Sequence, residues 1–219
     1  ITLLRNSNRI DIRNTITQNF SDVLSWNYSF NINSPDIWHE EVGAVIRAKL
    51  LSNGGHYSPR NARYDWLTIN HFADVSGGGV GVTLSNADAY YMKLGDSTHT
   101  VFDTATPQLS ILAGGQVDGP TLGIPNQGGD SWFLQRFALQ THDAFNQTAA
   151  MKFSLEHQNP FVTGAVTGIE SAYNENAYSF LTISDPDVLL WALKPAEDGI
   201  GHGVITRVWN QANAAKNYT

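Results

Sequence analysis

Phe180-Leu-Thr-Ile-Ser-Asp-Pro-Asp-Val-Leu-Leu-Trp-Ala-Leu-Lys-Pro-Ala-Glu-Asp-Gly199, followed by Gly201-His-Gly-Val-Ile-Thr-Arg-Val-Trp-Asn210, reads as strand, turn and strand. Val188 to Leu193 is an unbroken apolar run, as expected for a strand buried on both faces. Lys194-Pro195-Ala-Glu-Asp-Gly199 is a cluster of breakers ending in glycine, which suits a reversal of the chain. Beyond it, Val204, Thr206 and Val208 alternate with Ile205, Arg207 and Trp209 at the strand period. An antiparallel hairpin follows from the pattern alone.

The rest of the chain repeats this grammar. Ile10, Ile12, Asn14 and Ile16 share one face of an expected strand over Arg9–Thr17, and Arg9, Asp11, Arg13 and Thr15 share the other. Further strands are expected over 23–32, 44–51, 66–72, 80–84, 90–94, 109–112, 132–139 and 180–183, punctuated by Gly, Asn and Asp. One short helix is expected near 143–157, where Gly and Pro are absent and Met151 and Leu155 stand an i,i+4 apart. Asp143 is its expected N-cap, and Pro160 lies just beyond its end. The stretches Gly77–Gly81, Gly114–Gly129 and Gly199–Gly203 read as loops, the middle one long enough to serve as a surface loop. The expected fold class is all-β: one large antiparallel β-sandwich domain over 1–219 with a single short helix.

Composition narrows the function. Of the 219 residues, 42% are hydrophobic, which is enough to bury a sizeable core. The net charge of −7 leaves no basic stripe to neutralise phosphates, so a nucleic-acid partner is not expected. No apolar stretch approaches the ~20 residues that cross a bilayer as a helix, so a membrane partner is not expected either. Cysteine is absent, which rules out disulfides and thiolate metal sites within these residues. The chain opens directly in an expected strand at Ile1–Leu4, as a piece cut from a longer protein would.

Several motifs fail on spacing. Trp38-His-Glu-Glu-Val-Gly43 begins like H-E-x-x-H, but Gly43 stands where the second zinc-binding histidine is needed; a charged turn is expected there instead. Gly77-Gly-Gly-Val-Gly81 lacks both the G-x-G-x-x-G spacing and a following helix to hold a phosphate. The histidines are scattered, with no zinc-like spacing on one element. The richest candidate is Arg63, Tyr64, Asp65 and Trp66, with His71 and Asp74 close behind. A sugar site needs a flat aromatic face for the apolar side of the ring, and Asp, Asn, Arg or His for its hydroxyls. On a single strand, Trp66, Thr68 and Asn70 would face one way, and Asp65, Leu67, Ile69 and His71 the other. The competing reading places Trp66 in the core and the polar residues at an edge. Glu40, Glu41, Asp65 and Asp74 are carboxylate candidates whose separation sequence does not give.

The C-terminal hairpin also resembles the pattern "L-x-A-L-K-x-A-E-D-G … G-x-I-x-R-x-x-N" from the C-terminal β-domain of glycoside hydrolase family 38, the zinc-dependent α-mannosidases. Ile1 to Asn14 is similar to that family's early strand pair around "N-R-I-D". Arg63 to Ser76, with Gly81-Val-Thr-Leu-Ser-Asn86, resembles its "W-x-D-x-S … G-x-x-L-x-N" core, with Phe72 in place of the more usual tryptophan. Gly128 to His142 resembles "G-x-H-x-F-x-Y-x-L-x-P-H", with Thr141 in place of proline. Glu156-His-Gln-Asn-Pro160 resembles the segment closing the family's short helix.

The resemblance implies a large mutarotase-like sandwich that supports an N-terminal catalytic barrel of the same protein. It implies a retaining hydrolase of α-mannosides whose nucleophile and zinc ligands lie in that barrel. None of the barrel's motifs occurs here, so no catalytic residue and no metal ligand is carried over. The chain alone is expected to be inactive. The alternatives are a stand-alone carbohydrate-binding module built around Trp66, or a scaffold domain with no ligand.

Overall fold

The computed structural model describes residues 1–3, 5–61, 63–115, 125–165 and 178–219. The expected loop residues 116–124 lie outside these. The chain divides into two compact units, Ile1–Asn159 and Pro160–Thr219.

The first unit is an all-β sandwich with one helix. Its large sheet is antiparallel and has seven strands. Their spatial order is β1 (Thr2–Leu3), β2 (Arg9–Ile16), β11 (Phe133–His142), β8 (Val80–Asn86), β7 (Phe72–Gly77), β4 (Asp36–Glu41) and β5 (Ala44–Arg47). The small sheet orders β3 (Leu24–Ser29), β10 (Gln108–Gly114), β9 (Tyr91–Leu94) and β6 (Leu67–Thr68).

Period-two alternation builds the core between them. Ile37, Ala73, Val75, Leu84 and Phe137 of the large sheet meet Leu67, Met92, Leu94, Leu109 and Ile111 of the small one. Ile12 packs against this cluster, on the apolar face expected for its strand.

The other face of the large sheet is also covered. Helix α1 (Gln147–Gln158) lies against β7, β8 and β11. It begins three residues later than expected. Its N-cap is Asn146, whose side chain accepts from Ala149 N–H at 2.9 Å, rather than Asp143. The residues before the cap bring Phe145 against the rings of Trp38 and Phe72, at 5.1 and 6.2 Å. That packing decides where the helix starts.

Two expectations for this unit need correction. The charged turn at Trp38–Gly43 is mostly strand. Trp38 to Glu41 belong to β4, and only Val42-Gly43 turn the chain into β5. The single strand expected over 66–72 is two strands in different sheets. The chain leaves β6 after Thr68 and enters β7 at Phe72. Ile69 N–H pairs with the Tyr90 carbonyl and Asn70 N–H with the Glu40 carbonyl across this corner.

In the second unit, β12 (Val188–Pro195) and β13 (Val204–Asn210) form the expected antiparallel hairpin. A bulge interrupts it between Leu190 and Ala192. Burial on both faces is not found. Val188 and Leu189 are buried, whereas Leu193 is 43% exposed. Among the described residues this ribbon has two strands only, so no third strand flanks the run. Residues 180–183 form no strand.

Candidate functional site

The corner between the sheets disperses the candidate cluster. Tyr64 turns inward: its ring stacks on Phe102 at 4.9 Å and its hydroxyl donates to the Ser58 carbonyl at 2.7 Å. It serves the core and offers no face to a ligand. Arg63 and Asp65 form a bidentate pair, Nε to Oδ1 at 2.7 Å and Nη2 to Oδ2 at 2.9 Å. The guanidinium holds the Asp65 carboxyl below the usual range.

Trp66 is half-buried and faces outward. With Glu41, His56, Asn61, Arg63 and Thr68 it lines a pocket of about 350 Å³. That volume lies near the lower end of small-ligand sites. An indole, a guanidinium, an amide, an imidazole and a carboxyl therefore surround one cavity. His56 Nδ1 accepts from Arg47 N–H at 2.8 Å, so the neutral ring carries its proton on Nε2. Glu41 is pushed above the ordinary carboxyl value, first by burial and then by the neighbouring Glu40 charge, while a bond from the Thr68 side chain opposes the shift. Tyr57, also in this wall, is raised by burial and by Glu41.

His71 and Asp74 lie elsewhere, on the opposite face of the large sheet. Asp74 is wholly buried and accepts from Ser76 Oγ, from Thr83 Oγ1 at 2.6 Å and from His142 Nε2 at 2.6 Å. A carboxylate so enclosed cannot reach a substrate. It orients His142, whose pKa it raises through their hydrogen bond and against the effect of burial. His71 donates from Nδ1 to Glu40 at 2.7 Å, and Glu40 also takes the backbone N–H groups of His71 and Gly43. Glu40 has no exposed surface. It braces the structure rather than serving as a reagent.

Adjacent residues of β4 thus part company. Glu41 lines the Trp66 pocket, while Glu40 supports the far side of the sheet. His39 shares the inward face with Ile37, donating from Nδ1 to the Thr68 carbonyl and accepting at Nε2 from the Tyr57 hydroxyl, both at 3.0 Å. Burial lowers its pKa to about 4, so it is a neutral core histidine.

Glu41 was named in the sequence only as a candidate carboxylate, and His56 and Asn61 were not singled out beside Trp66. Pairing of β4 with β5 and folding-back of the loop before β6 bring them beside Trp66, and no local periodicity encodes that convergence. Among the described residues, no three His, Asp or Glu side chains are grouped to hold a metal ion. Among the described residues, no helix is long and apolar enough to cross a membrane. No protein-family model matches the chain, and no curated protein is significantly similar to it.

Proposed function

We propose that this chain is the C-terminal β-sandwich part of a retaining α-mannosidase of the family 38 kind, and that its Trp66 pocket recognises a saccharide. The catalytic nucleophile and the zinc belong, in this reading, to an N-terminal barrel of the same protein. The observation that carries it is spatial. Four of the segments resembling the family reach β2, β7, β8 and β11, which are neighbours in one sheet although they are scattered along the chain, while the segment at Glu156–Pro160 closes α1 and the C-terminal hairpin is the separate ribbon β12–β13. The mutarotase-like assignment of the sandwich belongs to the same proposal.

The pocket supplies the recognition chemistry. The indole of Trp66 offers an apolar face to a pyranose, and Arg63, Asn61 and His56 offer directional bonds to its hydroxyls. Because Asp65 already neutralises Arg63, a neutral sugar suits the cavity better than an anion. The same pocket supports the second reading, a carbohydrate-binding module that works without a barrel.

Titrating the chain with methyl α-D-mannopyranoside while following tryptophan fluorescence tests the pocket. The expected result is a saturable change that disappears in Trp66→Ala at an unaltered unfolding midpoint. No response in the parent chain, or unfolding of Trp66→Ala, would remove the pocket from the account.

A further inference from the structure

A second pocket, of about 490 Å³, opens on the other side of the β6–β7 corner. Asn70, His71, Tyr90, Arg136, Gln158 and Asn159 line it, and the small side chains of Ala87 and Ala89 leave it room. Tyr90 is 73% exposed, a large aromatic residue held at the rim of a polar cavity.

The polar groups are held from behind. The buried carboxylate of Glu40 fixes the His71 ring through Nδ1. Asp88 fixes Arg136, taking Nε at 2.9 Å, Nη2 at 2.7 Å and the backbone N–H at 2.7 Å. Gln158 donates to the Asn70 and Asn86 carbonyls, which ties the end of α1 to this wall. Asn86, wholly buried, accepts from Ala89 N–H and donates to the Ala89 carbonyl at 2.6 Å, closing the loop that presents Tyr90. Supporting bonds of this kind cut the ordering that a ligand would otherwise have to impose.

Charge decides the ligand class. The one arginine at the rim, Arg136, is matched by the carboxylate of Asp88, and the His71 ring is bonded to the carboxylate of Glu40. An anion would meet no uncompensated positive charge, and the chain as a whole carries −7. A neutral ring rich in hydroxyls can use the Asn, Arg and Gln groups and lay its apolar face on Tyr90. We infer that the cavity between Tyr90, His71 and Arg136 is a second binding pocket for a neutral pyranoside, separate from the Trp66 pocket. The inference stands on this wall alone and not on the mannosidase reading.

Two-dimensional amide spectra of the ¹⁵N-labelled chain test it, with methyl α-D-mannopyranoside, methyl β-D-glucopyranoside and sodium acetate as separate titrants. At least one pyranoside should shift the amides of Asn70, His71, Tyr90 and Arg136, with an affinity in the range of about 1 mM. Tyr90→Ala, which removes an exposed ring, should weaken those shifts about tenfold, and Trp66→Ala should leave them in place. Shifts here that survive loss of the Trp66 pocket's response would uphold this site while the other fails. No shift with either pyranoside, shifts with acetate only, or undiminished shifts in Tyr90→Ala would overturn it.

Discussion

The two faces of the large sheet are both buried at their centre, by opposite chemistry. Inward, Ile37, Val75, Leu84 and Phe137 join an apolar core. Outward, on the same strands, Glu40, Asp74, Thr83 and Ser85 are buried under or beside α1 and its flanks. The apolar face needs only volume and pattern, so it tolerates exchange among similar side chains. The polar face works through hydrogen bonds between buried groups. Asp74 has three side-chain donors, Glu40 has one side-chain and two backbone donors, and Ser85 Oγ pairs with His157 Nδ1 at 2.8 Å. Removing one member there leaves others stranded.

The largest effect should come from that outward face. Asp74→Ala strands the buried hydroxyls of Ser76 and Thr83 and the half-buried His142, and should cost about 3–5 kcal/mol in urea unfolding, comparable to the about 2–5 kcal/mol expected for Leu84→Ala inside. A loss below about 1 kcal/mol, as for an exposed pair, would show that the polar layer does not specify the fold.

The next effect separates the faces by pH. His39 inward and His157 outward have pKa values lowered to about 4, mainly by burial. Both are neutral, folded or unfolded, above their unfolded value of about 6.5. Stability is therefore full above that pH and falls as pH drops from about 6.5 toward 4, by up to about 3 kcal/mol for the fully buried His39. His142 runs the other way. Its raised pKa gives stability that is full below about 6.5 and is lost as pH rises through the raised value. Unfolding midpoints across pH should peak near neutrality, and His142→Asn should flatten the alkaline limb alone.

A smaller, stabilising change lies at the β4–β5 turn. Val42 has φ +43° and Gly43 φ +86°, a left-handed pair that β-branched side chains disfavour. Val42→Asn should raise stability by about 1 kcal/mol in thermal unfolding. The smallest effect is expected at the Trp66 pocket. Arg63→Ala breaks a partly exposed pair and should cost under about 1 kcal/mol of stability while weakening sugar binding. A pocket residue that is expendable for folding yet needed for binding is what distinguishes a site from scaffold.

Much of the fold was legible because strands announce themselves by alternation. The Ile10, Ile12, Asn14 and Ile16 face of β2 and the turn after Lys194 both follow from local pattern. The strand over 36–41 was not, because His39, Glu40 and Glu41 look like surface residues until their partners Tyr57, His71 and Thr68 are in place. The candidate site was legible only in part for a similar reason. Arg63 and Trp66 meet in one pocket, but the sheet corner after Thr68 carries His71 to another and leaves Asp74 buried. Alternation records which face a residue takes, and it carries no mark of where a chain changes sheets.

The proposed role of this sandwich is as part of a zinc-dependent α-mannoside hydrolase. Intact masses of every polypeptide in the native sample, with zinc content and cleavage of a chromogenic α-mannoside, test it most directly. If that role is right, these residues occur within, or bound to, a larger zinc-bearing polypeptide that cleaves the α-mannoside. A native sample holding this chain with no larger partner, no zinc and no activity would contradict it.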